Sequence, residues 1–562
     1  MSRLLASALA MALALAMTSP GAGAAPARRL GAAVAPVRLI PKGTAPLAVS
    51  GLHSYFGTIE IGAAADGLVI SNRLPLERYL LGLAEVPLTW PDEALKAQAV
   101  AARTYALFTL RQPPGGSAAV YGFDICASVE CQVYSGADVV GGVGGSRWTA
   151  AVDATAGQTV LYEGEPILAR YHSTSGGRTL DNPQAFPDEG AYPYLRGVGS
   201  TTEQGSPLYR WTVDFPLRRL ETLVRRAGIW SATYGRLLDV RSRPSSQGFH
   251  YPDVVFRGRK GDTVVTAEEL RDEVRELAPR LFPEAYPSPW STASGRLPET
   301  FPSNRIDVFT TRRVVRVVGR GWGHGVGMSQ WGAHGLASRG AGHLDILGHY
   351  YTGVSVGDFP DPGPLEVGLD WGRSSVTVRG EFEVVDGLGR TLVKNALGDW
   401  RFDFGGEGAV AIDPPQGFGL PLRVGLVDAP RRVQVGETVY LTVALSRPAK
   451  VRTVTRAATA YDDPGVRIAA AGRRRIIWAA PLEEGNVEVH VEARSQAKRV
   501  RTEPVTIEVF SKPLAQGATP PPAEPERPET PRFPFLLVAA GAATLLLAGI
   551  LVWARSGRKL EP

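Results

Sequence analysis

Residues 74–107 read LPLERYLLGLAEVPLTWPDEALKAQAVAARTYAL. Two helices are written into this stretch, and the break between them is where chemistry enters. Leu76, Tyr79, Leu80 and Leu83 recur at helical spacing, and Pro87 ends that segment. Pro91 stands where a second helix begins, with Asp92 and Glu93 favourable in its first turn, and that helix runs through EALKAQAVAARTYAL. Glu85 sits in the break, close to Val86, Leu88 and Trp90. A carboxyl among apolar groups keeps its proton to higher pH, which a general acid working near neutrality needs. An ordinary glutamate at a helix end is the alternative, and the spacing leaves both open.

Upstream, Val37 to Asn72 alternates in short β-like runs, with an Asp66-Gly67 turn before Leu68, Val69 and Ile70. Downstream, residues 140–310 read as a mixture of strands and helices. In TAEELRDEVRELAPRLF, Thr266 and Glu269 have capping-box spacing. From about Leu365 the pattern turns all-β. Val376, Val378, Phe382 and Val384 precede an Asp386-Gly387 hairpin signal. The alternation resumes in VQVGETVYLTVAL, RRIIWAA, NVEVHVEA and VTIEVF, a series of short strands that suggests an immunoglobulin-type sandwich.

The chain has 562 residues, enough for several domains, and a net charge of +6 spread along its length. No basic arm or arginine–aromatic array argues for nucleic acid. At the N-terminus Arg3, an apolar run from Leu4 to Met17 and the small residues Ala22, Gly23 and Ala24 read as a signal peptide over residues 1–24. Residues 511–534 form a proline-rich linker. Phe535 to Trp553 is apolar and uncharged and fits one membrane helix over 535–553. Arg555, Arg558 and Lys559 then place the tail, 554–562, in the cytoplasm. The expectation is a single-pass protein of the cell membrane with its bulk outside the cytoplasm. There are two cysteines, Cys126 and Cys131, and outside the cytoplasm a nearby pair is more often a disulfide than two thiols.

A second unusual segment is GRGWGHGVGMSQW, residues 319–331, where every second position from Gly319 to Gly327 is glycine. It has no phosphate-binding lysine and not the glycine spacing of a dinucleotide loop. It reads as an extended stretch whose bare side lets a backbone or ligand approach. Arg320, Trp322 and His324 then share the loaded side, and an indole beside hydrogen-bonding groups suits a sugar ring. A tightly packed buried strand with a satisfied core histidine stands as the alternative. Four of the eight histidines fall between His324 and His349, but none is paired at i, i+4 and there is no HExxH, so no metal site is expected. Tyr171 to Thr179, YHSTSGGRT, sets His172 beside Ser173 and Ser175 without a GxSxG elbow, and a polar loop explains it equally.

Four segments, in order, resemble the SpoIID/LytB family of bacterial cell-wall proteins. They are the opening stretch, CASVECQVYSG, ARYHSTSGGRT with PYLRGV, and GRGWGHGVGMSQWGA followed by ILGHYYTGV; together they cover roughly residues 50–355. The resemblance implies a peptidoglycan lytic transglycosylase that cleaves MurNAc–GlcNAc bonds of peptide-stripped glycan strands to 1,6-anhydro ends. It implies Glu85 as the catalytic acid, and Arg103, Tyr171, His172, Trp322 and His324 as substrate-binding residues by motif position. Other members are named amidase enhancers. The alternative is therefore a non-catalytic, wall-binding enhancer of an N-acetylmuramoyl-L-alanine amidase. The partners implied are glycan strands and a cell-wall amidase, beside the membrane through the C-terminal helix, with no cofactor. Some members bind zinc through two cysteines and two histidines near the CQVY segment. Here Glu130 precedes Cys131 and no histidine lies within 40 residues upstream, so a Cys126–Cys131 disulfide is expected and no metal. The expected class is α+β: a SpoIID-like domain (25–362), a small β domain (363–428) and an immunoglobulin-like sandwich (429–510), then a single C-terminal transmembrane helix.

Overall fold

The structure, a computed structural model, describes residues 30–246, 251–287, 297–456, 466–495 and 498–511. These fall into two units. One takes residues 52–57 and 71–370; the other takes residues 30–51, 58–70 and 371–511.

The first unit is built around the helix Asp92–Leu110. Its alanines, with Leu95, Val100 and Leu107, are buried on nearly every side, so it is an interior helix rather than a surface one. Small side chains let its neighbours come close. The helices Gly145–Ala154, Gln330–Ala337 and His343–Tyr350 and the strand Gln158–Tyr162 all pack on it. Val100, Ala101, Ile167, Val326, Met328, Ile346 and Tyr350 share one core. Thr104 ties the helix to that strand: its hydroxyl donates to the Val100 carbonyl (2.7 Å) and accepts from the Val160 N–H (2.9 Å).

The same unit has a second core, centred on Trp211, Phe215, Leu223, Val254, Phe256, Leu270 and Val315. Two three-stranded antiparallel sheets surround it. One has the order Trp211–Pro216, Val314–Gly319, Ile306–Thr311; the other runs Leu237–Arg243, Asp253–Gly258, Asp262–Thr266. The helix Ala267–Leu281 begins with a capping box. The Thr266 hydroxyl accepts from the Glu269 N–H (3.1 Å), while the Glu269 carboxylate accepts from the Thr266 N–H (2.8 Å).

The other unit contains an antiparallel sheet of order Gly31–Val34, Ala409–Asp413, Thr391–Phe404, Ser375–Val385, Val37–Pro41, Thr58–Ala64. Its strands come from two stretches far apart in sequence, residues 31–64 and 375–413. Beyond it, two sheets pack on one core of Leu441, Val443, Val451, Trp478, Val489, Val491 and Ile507. One sheet has the order Val424–Asp428, Thr438–Leu445, Gly472–Ala479. The other has Arg432–Gln434, Val505–Phe510, Gly485–Ser495, Ala449–Arg456, Arg467–Ala469.

Two expectations are corrected. The class is not α+β: the described residues are mostly β with few helices, because every element from Ser355 to Phe510 is a strand and these outweigh the helices that precede them. The single-pass membrane placement is also corrected, and with it the partner role of the membrane. Among the described residues no helix is long and apolar enough to cross a bilayer. Even Asp92–Leu110, at 19 residues, carries Asp92, Glu93, Lys96 and Arg103 and is packed inside protein. The expected signal peptide, nearly all of the linker, the segment 535–553 and the tail lie outside the described residues.

Candidate active site

Glu85 follows the short helix Leu76–Leu81, where the chain turns out of helical geometry. Leu83 bridges to Tyr134, and the Ala84 N–H donates to the Val133 carbonyl (2.9 Å). That pairing returns the favour to the side chain: the Val133 N–H donates to Glu85 Oε1 (2.6 Å). Two further donors, Tyr171 and Gln330, reach the same carboxyl.

Behind them runs a directed chain of hydrogen bonds. The Tyr79 hydroxyl donates to Gln132 Oε1 (2.9 Å), and Gln132 Nε2 donates to the Tyr171 hydroxyl (2.8 Å). The Tyr171 hydroxyl in turn bonds Glu85. On the other side Gln330 Nε2 lies 3.4 Å from Gln98 Oε1. Gln98 is buried, and among the described residues its own Nε2 finds no acceptor.

Burial sets the electrostatics. The Glu85 carboxyl lies deep among protein atoms, which pushes its pKa up from the ordinary 4.5 to about 7 against the opposing hydrogen bonds from Val133, Tyr171 and Gln330. The residue as a whole is half-buried. No second carboxylate and no cation is among the groups that shift it. Tyr79 and Tyr171 keep their protons to well above the usual phenol range, first through burial and then through the charge of Glu85. The result is a carboxyl near half-protonation at neutral pH beside hydroxyls that stay neutral.

Of the other residues singled out in the sequence, Tyr171 alone meets Glu85. Tyr171 and His172 form a two-residue strand parallel to Met328–Ser329, and alternation sends their side chains opposite ways. His172 Nδ1 donates to the Val326 carbonyl (3.0 Å), and the Val326 N–H donates to His324 Nδ1 (3.1 Å). The two imidazoles thus clasp one residue, with ring centroids 5.5 Å apart. Burial lowers the His172 pKa to about 4 and that of His324 well below the ordinary value, so both rings are neutral. Trp322 donates its indole N–H to Glu299 (2.7 Å) and packs against the second core. Arg103 is buried and forks onto Glu77, both bonds at 2.7 Å, with a third bond to the Gln158 carbonyl at 3.2 Å.

The glycine-alternating segment is not the extended stretch its spacing suggested. Gly321, Gly323, Gly325 and Gly327 all have positive φ, between 71° and 97°. At Gly321 a Cβ would sit 2.5 Å from the Thr174 carbonyl oxygen, and at Gly327 it would collide with that of Arg170. The bare positions therefore serve backbone-to-backbone approach, and Arg320, Trp322 and His324 do not share one face. Within YHSTSGGRT, the Ser175 hydroxyl is likewise absorbed by structure. The buried Glu203 accepts from the Ser175 N–H (2.9 Å) and hydroxyl (2.6 Å), from the Gly177 N–H and from the Ser329 hydroxyl. Cys126 and Cys131 are joined by a disulfide with Cα atoms 5.5 Å apart.

The sequence reading missed Gln98, Gln132 and Gln330. Gln98 had a visible signal, a neutral polar residue amid the alanines of an interior helix. Gln132 and Gln330 had none beyond lying in recognised segments.

Comparison with known proteins places these residues. The SpoIID family, described as Stage II sporulation protein, matches over residues 64–162, which contain Glu85. The stage II sporulation protein D of Bacillus amyloliquefaciens is 29% identical over 296 residues, covering 51% of this chain and 75% of that protein. An uncharacterised protein of Brachyspira hyodysenteriae is 28% identical over 314 residues, 54% of this chain and 73% of its own length. The amidase enhancer of Bacillus subtilis is 27% identical over 306 residues, 48% of this chain but 39% of the relative. The class is that of cell-wall-related proteins: the chain carries a SpoIID match over residues 64–162 and is similar to stage II sporulation protein D and amidase enhancer proteins.

Proposed function

We propose that the protein is a peptidoglycan lytic transglycosylase with Glu85 as its acid. The observation that carries this reading is a single buried carboxyl with its pKa pushed up to about 7 and no second carboxylate among the groups that shift it. Hydrolytic glycosidases use two carboxylates, one of them to activate water or attack the sugar. A transglycosylase needs one, because the substrate supplies its own nucleophile. Glu85 donates its proton to the glycosidic oxygen, the C1–O bond breaks, and the bond's electrons leave with the GlcNAc 4-oxygen. The muramyl 6-hydroxyl oxygen then bonds to C1, and its proton passes to the Glu85 carboxylate, which restores the acid. The Val133 N–H, Tyr171 and Gln330 hold the carboxylate between these steps.

The amidase-enhancer relative favours a second reading, in which the protein binds glycan without cutting it. One experiment separates them. The full chain is incubated with peptide-free glycan strands, and products are analysed by mass spectrometry. Anhydro-muramyl ends from the wild type and none from Glu85→Gln support the first reading. Binding without product, together with stimulation of an added amidase, supports the second.

A further inference from the structure

Three aromatic rings gather on the segments that carry Glu85 and Gln330. The Trp90 ring centroid lies 5.1 Å from that of Trp331 and 4.8 Å from that of His334, and Trp331 and His334 are 5.3 Å apart. Both connections to the site are short. Trp90 follows Glu85 by five residues, and Trp331 directly follows Gln330, which bonds the Glu85 carboxyl. The geometry is braced from behind. Ser329 caps the helix Gln330–Ala337 by accepting from the Gly332 N–H (3.2 Å), and the Trp331 N–H donates to the Ser173 carbonyl (3.0 Å).

The three rings differ in exposure: Trp90 is buried, whereas Trp331 and His334 are half-buried. A partly exposed indole backed edge-on by a second indole presents a rigid, flat apolar face of the kind that stacks on a ligand ring. The other tryptophan of the glycine-rich segment, Trp322, is already committed to Glu299 and the second core.

We propose that Trp331, braced by Trp90 and flanked by His334, is the stacking platform for a pyranose ring of the glycan strand in the position adjoining Glu85. A pyranose presents an apolar face of C–H bonds, which suits a flat indole, and a rim of hydroxyls, which suits an imidazole. This assignment rests on the reading that glycan is what the site binds. It transfers the sugar-binding role from Trp322 to Trp331.

The test uses the full chain in the Glu85→Gln background, with peptide-free MurNAc–GlcNAc oligosaccharides as the probe and calorimetry as the readout. Trp331→Leu keeps apolar volume against Trp90 but removes the flat face, and Trp331→Phe restores a ring. The expected result is a tenfold or greater loss of affinity for Leu and recovery of most of it for Phe. In the Glu85-containing chain, Trp331→Leu raises KM and leaves the alkaline limb of the pH profile where it was. Affinity within twofold of the parent in a folded Trp331→Leu overturns the platform alone. Absence of glycan binding by the parent overturns the platform and the proposed function together. If Trp331→Leu does not fold, His334→Ala carries the test, with a several-fold loss expected and an unchanged affinity refuting.

Discussion

Replacing Glu85 by glutamine separates a catalytic carboxyl from a structural one, because the two readings predict different dependence on pH. Burial holds the carboxyl at about 7 instead of 4.5. The folded state therefore prefers the protonated form. Its contribution to stability is fully present below about pH 4.5 and is lost as pH rises through about 7, after which the fold carries a buried anion. The difference of about 2.5 pKa units corresponds to about 3 kcal/mol. Glutamine never ionises, so Glu85→Gln escapes that cost. It also turns an NH2 group toward donors that the carboxylate accepted from, a penalty of about 1 kcal/mol that does not vary with pH.

The variant is thus expected to be equal to or slightly less stable than the wild type at pH 4, and more stable by about 2 kcal/mol at pH 9. Urea unfolding followed by tryptophan fluorescence at pH 4, 7 and 9 measures this, and the slope of the difference against pH is diagnostic where its offset is not. Catalysis moves the other way. Loss of a general acid costs about 10²–10⁴ in rate, and wild-type activity should fall about tenfold per pH unit above pH 7 as the acid form is depleted. A stability difference that stays flat between pH 4 and 9 would show that the carboxyl is not held protonated by burial. Near-normal turnover by Glu85→Gln would remove it from the mechanism.

Tyr171→Phe removes one of the bonds that lower the Glu85 pKa, so the alkaline limb of the rate profile should move up by as much as about one unit, and the stranded Gln132 amide should cost about 1 kcal/mol in urea unfolding. Arg103 is 1% exposed and Glu77 43%, so the pair is asymmetric: Glu77→Ala strands a buried guanidinium and should cost about 3 kcal/mol, whereas Arg103→Met leaves a carboxylate that water can reach and should cost about 2 kcal/mol less, both by chemical denaturation. Gly327→Ala forces a side chain into a left-handed backbone against the Arg170 carbonyl, and a loss of at least about 2 kcal/mol is expected, read as a lower melting temperature.

What was legible in the sequence is what depends on neighbours in the chain. The Pro91 start, the first-turn acids and the run of alanines specify the interior helix, and Glu85 stands out as a charge among apolar residues at its approach. What was not legible depends on pairing at a distance. Gln132 reaches the site because Leu83 bridges Tyr134 across a long separation, and the strands before residue 64 pair with those beyond 375. The glycine-rich segment misled for a different reason. Period two puts alternate side chains on one face only if every residue lies in the β region, and positive φ at every second position breaks that rule, so Trp322 and His324 turn to different neighbours.

The motif residues then divide by what they hold. Glu203 gathers Ser175, Gly177 and Ser329, and the neutral pair His172 and His324 clasps Val326. These contacts fix the loop 172–179 to the segment 326–330, and that junction sets where Tyr171 and Gln330 stand. Those two side chains are the points at which both segments touch the carboxyl. A polar residue in this region therefore acts on the acid through the position of Tyr171 or Gln330 and not through its own charge, since both imidazoles are neutral across the working range. His172→Gln, whose amide N–H can still reach the Val326 carbonyl, should accordingly preserve the pH profile and most of the rate, whereas His172→Ala, which removes the clasp, should lower kcat without moving the limb at about pH 7. A shifted limb in either variant would place His172 in direct electrostatic contact with the acid and refute a purely positional role.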